Sequence, residues 1–276
     1  MSWFKVLTHD FRCGLLRYRY LLIPIIVIFP CIMFHHELYQ AGISGNWADY
    51  MLYCFKGQAY EISRAATMDA YIPTAWILTV GLCLYLNLDY LINDLTCAGQ
   101  QVIIRCDKKR NWFLSKCIWN ISSCLLFFLL LVLSVTLFVL WSGGSMTLEN
   151  SEAASLIIFE SVIQEPLKLS ALQNISIAIV SPLLTIIAFS LMEMVLCLFC
   201  KPIISFLTCL CLLGLSIFTP PSYIPGNGAM TIRSDFVAND GINWAIATIG
   251  SIILGCLCIL IGIIYFKHAD VLSFDE

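Results

Sequence analysis

Six apolar runs separated by polar stretches set the pattern of the chain, at about residues 20–35, 71–89, 117–141, 173–199, 202–219 and 243–266. Each comes near the roughly twenty residues an α-helix needs to cross a hydrocarbon layer. Such a layer offers the backbone no hydrogen-bond partners, so the runs predict helices, which pair their own N–H and C=O groups. Pro24 and Pro30 predict a kink in the first run. Only Cys200, Lys201 and Pro202 part the fourth run from the fifth, which predicts a very tight turn. Ahead of the first run, Trp3, Phe4, Val6, Leu7 and Phe11 can share one broad helical face, with Lys5, Arg12, Arg17 and Arg19 available to headgroups. That predicts an amphipathic interfacial helix over 1–19; a basic flank without helical order is the alternative. The first run lacks a small-residue cleavage site and reads as a retained span. The expected fold class is therefore an all-α integral membrane protein, a single transmembrane domain over 1–276. It has six transmembrane helices, an N-terminal amphipathic interfacial helix and a long basic loop over 90–116.

Composition agrees. Hydrophobic residues make up 60% of the chain, charged ones 12%, and the mean hydropathy is +0.87, against about a quarter charged residues in soluble chains. The fourteen cysteines are not placed as a disulfide framework: Cys83, Cys124, Cys209, Cys211, Cys256 and Cys258 lie inside apolar runs, where cysteine acts as a small hydrophobe. Cys54 stands alone in a polar loop and has no partner there.

Net charge is only −3, but its distribution is uneven. With the N-terminus inside, the inner segments hold Lys5, Arg12, Arg17, Arg19, Arg105, Lys108, Lys109, Arg110, Lys116, Lys201 and Lys267, and the outer ones Lys56, Arg64, Lys168 and Arg233. Eleven cations against four put both termini in the cytoplasm and the chain in the cell membrane.

Of the three outer segments, the second predicts a short amphipathic surface helix around Leu156, Ile157, Phe159 and Ile163, capped by Thr147 or Asn150. The third, rich in Pro and Gly over 219–241, predicts irregular backbone.

The stretch Asp89–Lys116 gathers five of the fifteen Lys and Arg: Arg105, Lys108, Lys109, Arg110 and Lys116. Leu91, Ile92, Leu95, Val102, Ile103 and Ile104 give it an apolar side, and Gly99 allows a bend. A loop with both characters reads as a docking surface; charge that only fixes orientation is the other reading. Glu193 is the one carboxylate well inside a run. It reads either as a substrate or proton contact or as a structural hydrogen bond or snorkelling acid, and the structural reading is the one expected. Asn87 and Asp89 close the second run, where boundary polarity explains them more simply than hydrogen bonds between helices. Cys197-x-x-Cys200 has no second pair or nearby His to complete a metal site. His35–His36 reads as interfacial filler. Asn120 and Asn174 match a glycosylation pattern too close to the bilayer to serve. No catalytic constellation stands out, and no basic–aromatic interleaving suits nucleic acid.

The order of an amphipathic start, six spans and a basic loop after the second span resembles the membrane subunit of ABC-2 type transporters. The residues that carry the resemblance are Asp94, Gly99, Arg105–Arg110, Trp112 and Lys116, with the ending Tyr265–Asp270. The resemblance implies a permease in which the 90–116 loop is a cytoplasmic coupling loop. By position, Gln100, Gln101, Arg105, Asp107, Lys108, Lys109 and Arg110 would dock a separate ATP-binding subunit, and Glu193 would lie on the substrate path. It also implies a second permease subunit, identical or paralogous, and export of an amphiphile such as a peptide or antibiotic. The chain carries no GxxxxGK[ST] cradle, so ATP and Mg²⁺ would belong to the partner and the chain itself would be no enzyme. An ion-coupled secondary transporter and a non-transporting membrane immunity or sensor protein are the alternatives.

Overall fold

The computed structural model describes residues 18–59, 72–96, 109–219, 224–238 and 240–268, together with Thr8 and Phe11. Among these residues the chain is helical, with two isolated bridges and no strand. The expected interfacial helix over 1–19 and the centre of the basic loop fall outside the described residues.

The helices are α1 (Leu22–Ala41), α2 (Trp47–Cys54), α3 (Thr74–Asn87), α4 (Tyr90–Thr96), α5 (Lys109–Trp141), α6 (Glu152–Ile158), α7 (Ala171–Ile175), α8 (Ser181–Leu196), α9 (Pro202–Phe218) and α10 (Trp244–His268). A 3₁₀ turn, Tyr18–Leu21, leads into α1, and a π-turn, Ser176–Val180, joins α7 to α8. Five continuous stretches are long and apolar enough to cross a membrane: Tyr18–Ala41, Thr74–Leu95, Lys109–Trp141, Ala171–Leu196 and Trp244–Lys267. The sixth expected span, α9, has 17 residues and falls below that length. α1 continues through Pro30 to Ala41, beyond the expected end at 35. The tight turn at 200–202 is present, with Lys201 as the residue before α9 and Pro202 at its first position.

α8 sits at the centre, packed along α10 and against α3 and α5, while α1 lies on α5. Small residues let these helices approach, as expected where apolar surface alone cannot drive helices together in lipid. At Gly262 of α10 a Cβ would lie 2.0 Å from the Phe113 ring of α5, so that crossing depends on glycine. Outward rows such as Ile25, Phe29 and Ile32 on α1, or Leu129, Leu133 and Leu137 on α5, stay exposed at helical spacing. A soluble surface would not leave such rows bare.

The chain runs up and down, so the helix ends collect at two faces. Arg19, Lys109, Arg110, Lys116, Lys201 and Lys267 gather at one, the basic end, where Arg19 meets Asp89, Lys116 meets Asp94 and Phe199 packs on Tyr265. At the other face the connecting segments close into a cap. Asn46 and Asp49 form a capping box at the start of α2. The same Asp49 carboxylate also accepts the Ser151 N–H at 2.9 Å, tying α2 to α6. Asn46 Nδ2 donates to Glu149 O at 2.9 Å.

Expectations about the cap hold only in part. Neither Thr147 nor Asn150 caps α6: Ser151 precedes it, while the Asn150 amide bridges Leu167 O and Leu169 N–H across its own loop. The third segment is only partly irregular over its described residues 224–238. It forms 3₁₀ turns at Pro225–Ala229 and Thr231–Arg233, because buried Arg233 organises it. Its guanidinium donates to Ser216 O (2.7 Å), Ile217 O (2.6 Å), Gln58 O (2.7 Å) and Asn227 Oδ1. Two of these carbonyls end α9, where the chain has no amides left to pair them and the helix dipole favours a cation. A short helix does stand in the second segment as α6, but it ends at Ile158, so Phe159 and Ile163 fall beyond it, and its buried face is Ala154, Ser155 and Ile158.

The Asp49 side chain is buried. Burial outweighs its two N–H donors and raises its pKa to about 6. The folded state therefore holds this proton more tightly than the unfolded chain, whose Asp titrates near 4. Its contribution is full below about pH 4 and declines as pH rises through about 6. In thermal unfolding of the purified protein, Asp49→Asn is expected to flatten this part of the stability curve between about pH 4 and 7. A wild-type curve that matches the variant across the window refutes the assignment.

Candidate functional site

Just inside the basic end, polar side chains from separate helices meet within the apolar bundle. Asn87 of α3 donates to Ser190 Oγ of α8 at 3.0 Å, and Asn120 of α5 donates to the same oxygen at 3.0 Å. Ser123 of α5 links Asn87 Oδ1 to the Tyr20 hydroxyl, the latter at 2.6 Å. All five side chains are buried. In a low-dielectric interior an unmade hydrogen bond is costly, so such a network fixes the helices in one register. The boundary reading of Asn87 is thus corrected: it bonds between helices. Asp89, by contrast, lies at the basic end with Arg19 at 3.1 Å, half exposed, as a boundary residue would.

One helical turn beyond Ser190 stands Glu193, 1% exposed, with no hydrogen-bond partner on either carboxylate oxygen among the described residues. The expected structural hydrogen bond is absent, and so is any snorkelling to the surface. Nearly all buried polar groups in proteins are paired, and intramembrane acids of this kind face paths or ligands. Glu193 thus stands out in the bundle as a buried acid without a partner among the described residues.

Toward the basic end, Lys116 of α5 is fully buried, with Nζ 2.7 Å from Asp94 of α4. Its ammonium stands 4.7 Å from the Tyr90 ring centre and 5.1 Å from that of Trp112, and Tyr90 stacks on Trp119 at 3.5 Å. Aromatic faces and a carboxylate together replace the water that a buried cation loses. This cluster clamps α4 to α5, the two helices that flank residues 97–108.

Of the sequence-expected docking residues, Gln100, Gln101, Arg105, Asp107 and Lys108 lie outside the described residues. Lys109 and Arg110 are exposed at the start of α5 and border a groove of about 410 Å³ with Ile263, Phe266 and Lys267 of α10. Cys54 does have a thiol neighbour: it packs against Cys31 of α1. Cys197 is buried while Cys200 is exposed, and no group of metal-ligating side chains occurs among the described residues. His35 Nδ1 bonds the Tyr50 hydroxyl at 2.8 Å. Asn120 and Asn174 are both buried, which agrees with their exclusion as glycosylation sites.

Sequence reading missed the Asn87–Asn120–Ser190 junction and the Asp94–Lys116 pair. A partial signal existed for the first: Asn87 and Asn120 sit at a similar depth from the basic end of their runs, whereas Ser190 lies two turns deeper in its own.

The fold and these buried clusters have the make of a multi-pass, all-helical membrane protein. Residues 21–272 match the family described as "Protein of unknown function (DUF2705)", and the chain belongs to it. Comparison with curated proteins and with solved structures gives no match.

Removing one partner of a buried ion pair strands the other, at a cost of about 3–5 kcal/mol. Lys116→Met is thus expected to lower the unfolding temperature markedly, and adding Asp94→Leu to restore most of it. Glu193→Gln breaks no bond and is expected to leave the unfolding temperature unchanged or higher. A large drop with Glu193→Gln contradicts its unpartnered placement.

Proposed function

We propose that the chain is the membrane-spanning permease subunit of an ATP-driven exporter, similar to ABC-2 type transporters. It would move an amphiphilic substrate such as a peptide or antibiotic across the cell membrane. In this reading α9 is the sixth span; at 17 residues it reaches the lower limit for crossing a bilayer. The basic end and both termini face the cytoplasm, as the excess of Lys and Arg there favours. The N-terminal segment lies in the membrane interface, and lipid covers the exposed apolar rows.

The observation that carries the proposal is the cluster of Asp94, Trp112 and Lys116. These positions belong to the pattern of the resemblance, and they meet around one buried ammonium. They fasten both flanks of residues 97–108 to the bundle. A push on that loop from an ATP-binding subunit would then pass to α4 and α5 as a unit, and from α5 through Asn120 to Ser190 on α8, next to Glu193. The partner would supply ATP and Mg²⁺; a second permease subunit, identical or paralogous, would complete the path. Unpartnered Glu193 favours one second reading, an ion-coupled transporter in which this acid carries the coupling ion.

Purification of the tagged chain from its native membrane in mild detergent tests the proposal. The expected result is a stoichiometric ATP-binding subunit with ATPase activity, lost when Asp107, Lys108, Lys109 and Arg110 are replaced by Ala. A chain that purifies alone under conditions that preserve known complexes, with no ATPase activity, overturns it.

A further inference from the structure

The cap holds a cleft that the permease reading does not use. Two adjoining hollows of about 290 and 420 Å³ share Lys56 and Gly57. Their sizes lie in the range of small-ligand sites, which reaches about 1,000 Å³. Gly57 has φ +71°, and a Cβ there would lie 2.4 Å from Met230, so the chain can pass between the hollows only as glycine.

Two buried groups on the walls lack partners. Gln58 lines the larger hollow, is 3% exposed, and neither its amide nitrogen nor its amide oxygen has a hydrogen bond among the described residues. Its backbone is held, since Arg233 Nε donates to Gln58 O at 2.7 Å, so the cap sets where the amide stands. Trp76 lines the smaller hollow, fully buried, with Nε1–H also unpaired. Orphaned donors and acceptors are rare in folded proteins and expensive when no ligand or water reaches them.

The remaining walls supply charge and apolar surface. Lys56 is shared by both hollows and lies 5.7 Å from the Tyr53 ring centre. Glu37 lines the smaller hollow and Glu160 the larger. One ammonium between two carboxylates disfavours a phosphate or other multiply charged anion. It suits a ligand that carries both signs. A carboxamide with free donor and acceptor is complementary to another amide, and the indole N–H needs a carbonyl or carboxylate oxygen.

We propose that this cleft binds a short peptide, with the carboxylate end at Lys56 and the Trp76 indole N–H, a backbone amide against Gln58 and the amino end at Glu160. The inference goes beyond the export reading and needs no ATP-binding subunit, so either can fail without the other.

The test uses the full chain in nanodiscs, exposed to a pool of random tripeptides with free termini; retained peptides are identified by mass spectrometry and the affinity of the best is measured. Saturable retention is expected, about tenfold weaker in Gln58→Leu, which is the size of one lost hydrogen-bonding pair. Trp76→Phe should also weaken it, and inorganic phosphate should not compete. Gln58→Leu removes an orphaned polar group at similar volume, so it should not lower the unfolding temperature. Absence of saturable retention, unchanged affinity in Gln58→Leu, competition by phosphate, or lost binding together with a lowered unfolding temperature each overturns the proposal.

Discussion

A buried ammonium is among the most costly groups a membrane protein can carry, and Lys116 carries one with no exposure. The arrangement of the basic end follows from it. Asp94 comes within 2.7 Å, which holds α4, the continuation of α3, beside the start of α5. Tyr90 and Trp112 have to present ring faces, and Trp119 stacks behind Tyr90. Arg19 and Asp89 close the same region from the start of α1. Two short helical segments that could otherwise fray are thereby joined to the bundle as one piece.

About one turn further into the bundle, the helices are held differently. Neutral amides and hydroxyls from α3, α5 and α8 share hydrogen bonds at Ser190, and these set the depth at which the three helices cross. Against that satisfied network, unpartnered Glu193 one turn away is an anomaly. At the far end a second buried cation, Arg233, solves another problem. It takes up carbonyls at the end of α9 and holds the cap segments on them. Each level of the bundle thus rests on a different kind of polar pairing, while apolar surface faces outward.

Much of this was legible in the sequence. Four of the six apolar runs placed their helices within about three residues, because a helix in hydrocarbon must be long and apolar whatever its neighbours; α1 runs on to Ala41 and α5 begins already at Lys109, where polar residues continue the helix. What lay between helices was not legible. Asn87 reads as a span boundary until Asn120 and Ser190, distant in sequence, are brought beside it. Glu193 reads as an ordinary structural acid because its lack of partners is a property of space, not of spacing. Pro and Gly over 219–241 predicted irregular backbone, since nothing local shows that Arg233 will find the carbonyls of Ser216 and Ile217. Asp94, Trp112 and Lys116 were named one by one through a resemblance; their meeting at one point is a finding of the structure.

In the proposed permease, a partner acting on residues 97–108 would move α4 and α5 together and reach α8. Hydrogen–deuterium exchange on the complex purified with its ATP-binding subunit, with and without a non-hydrolysable ATP analogue and Mg²⁺, tests this most directly. Nucleotide is expected to change exchange over residues 90–96 and also within the 181–196 helix around Glu193. Changes confined to the 97–110 segment, with the helix around Glu193 unaffected, would contradict it.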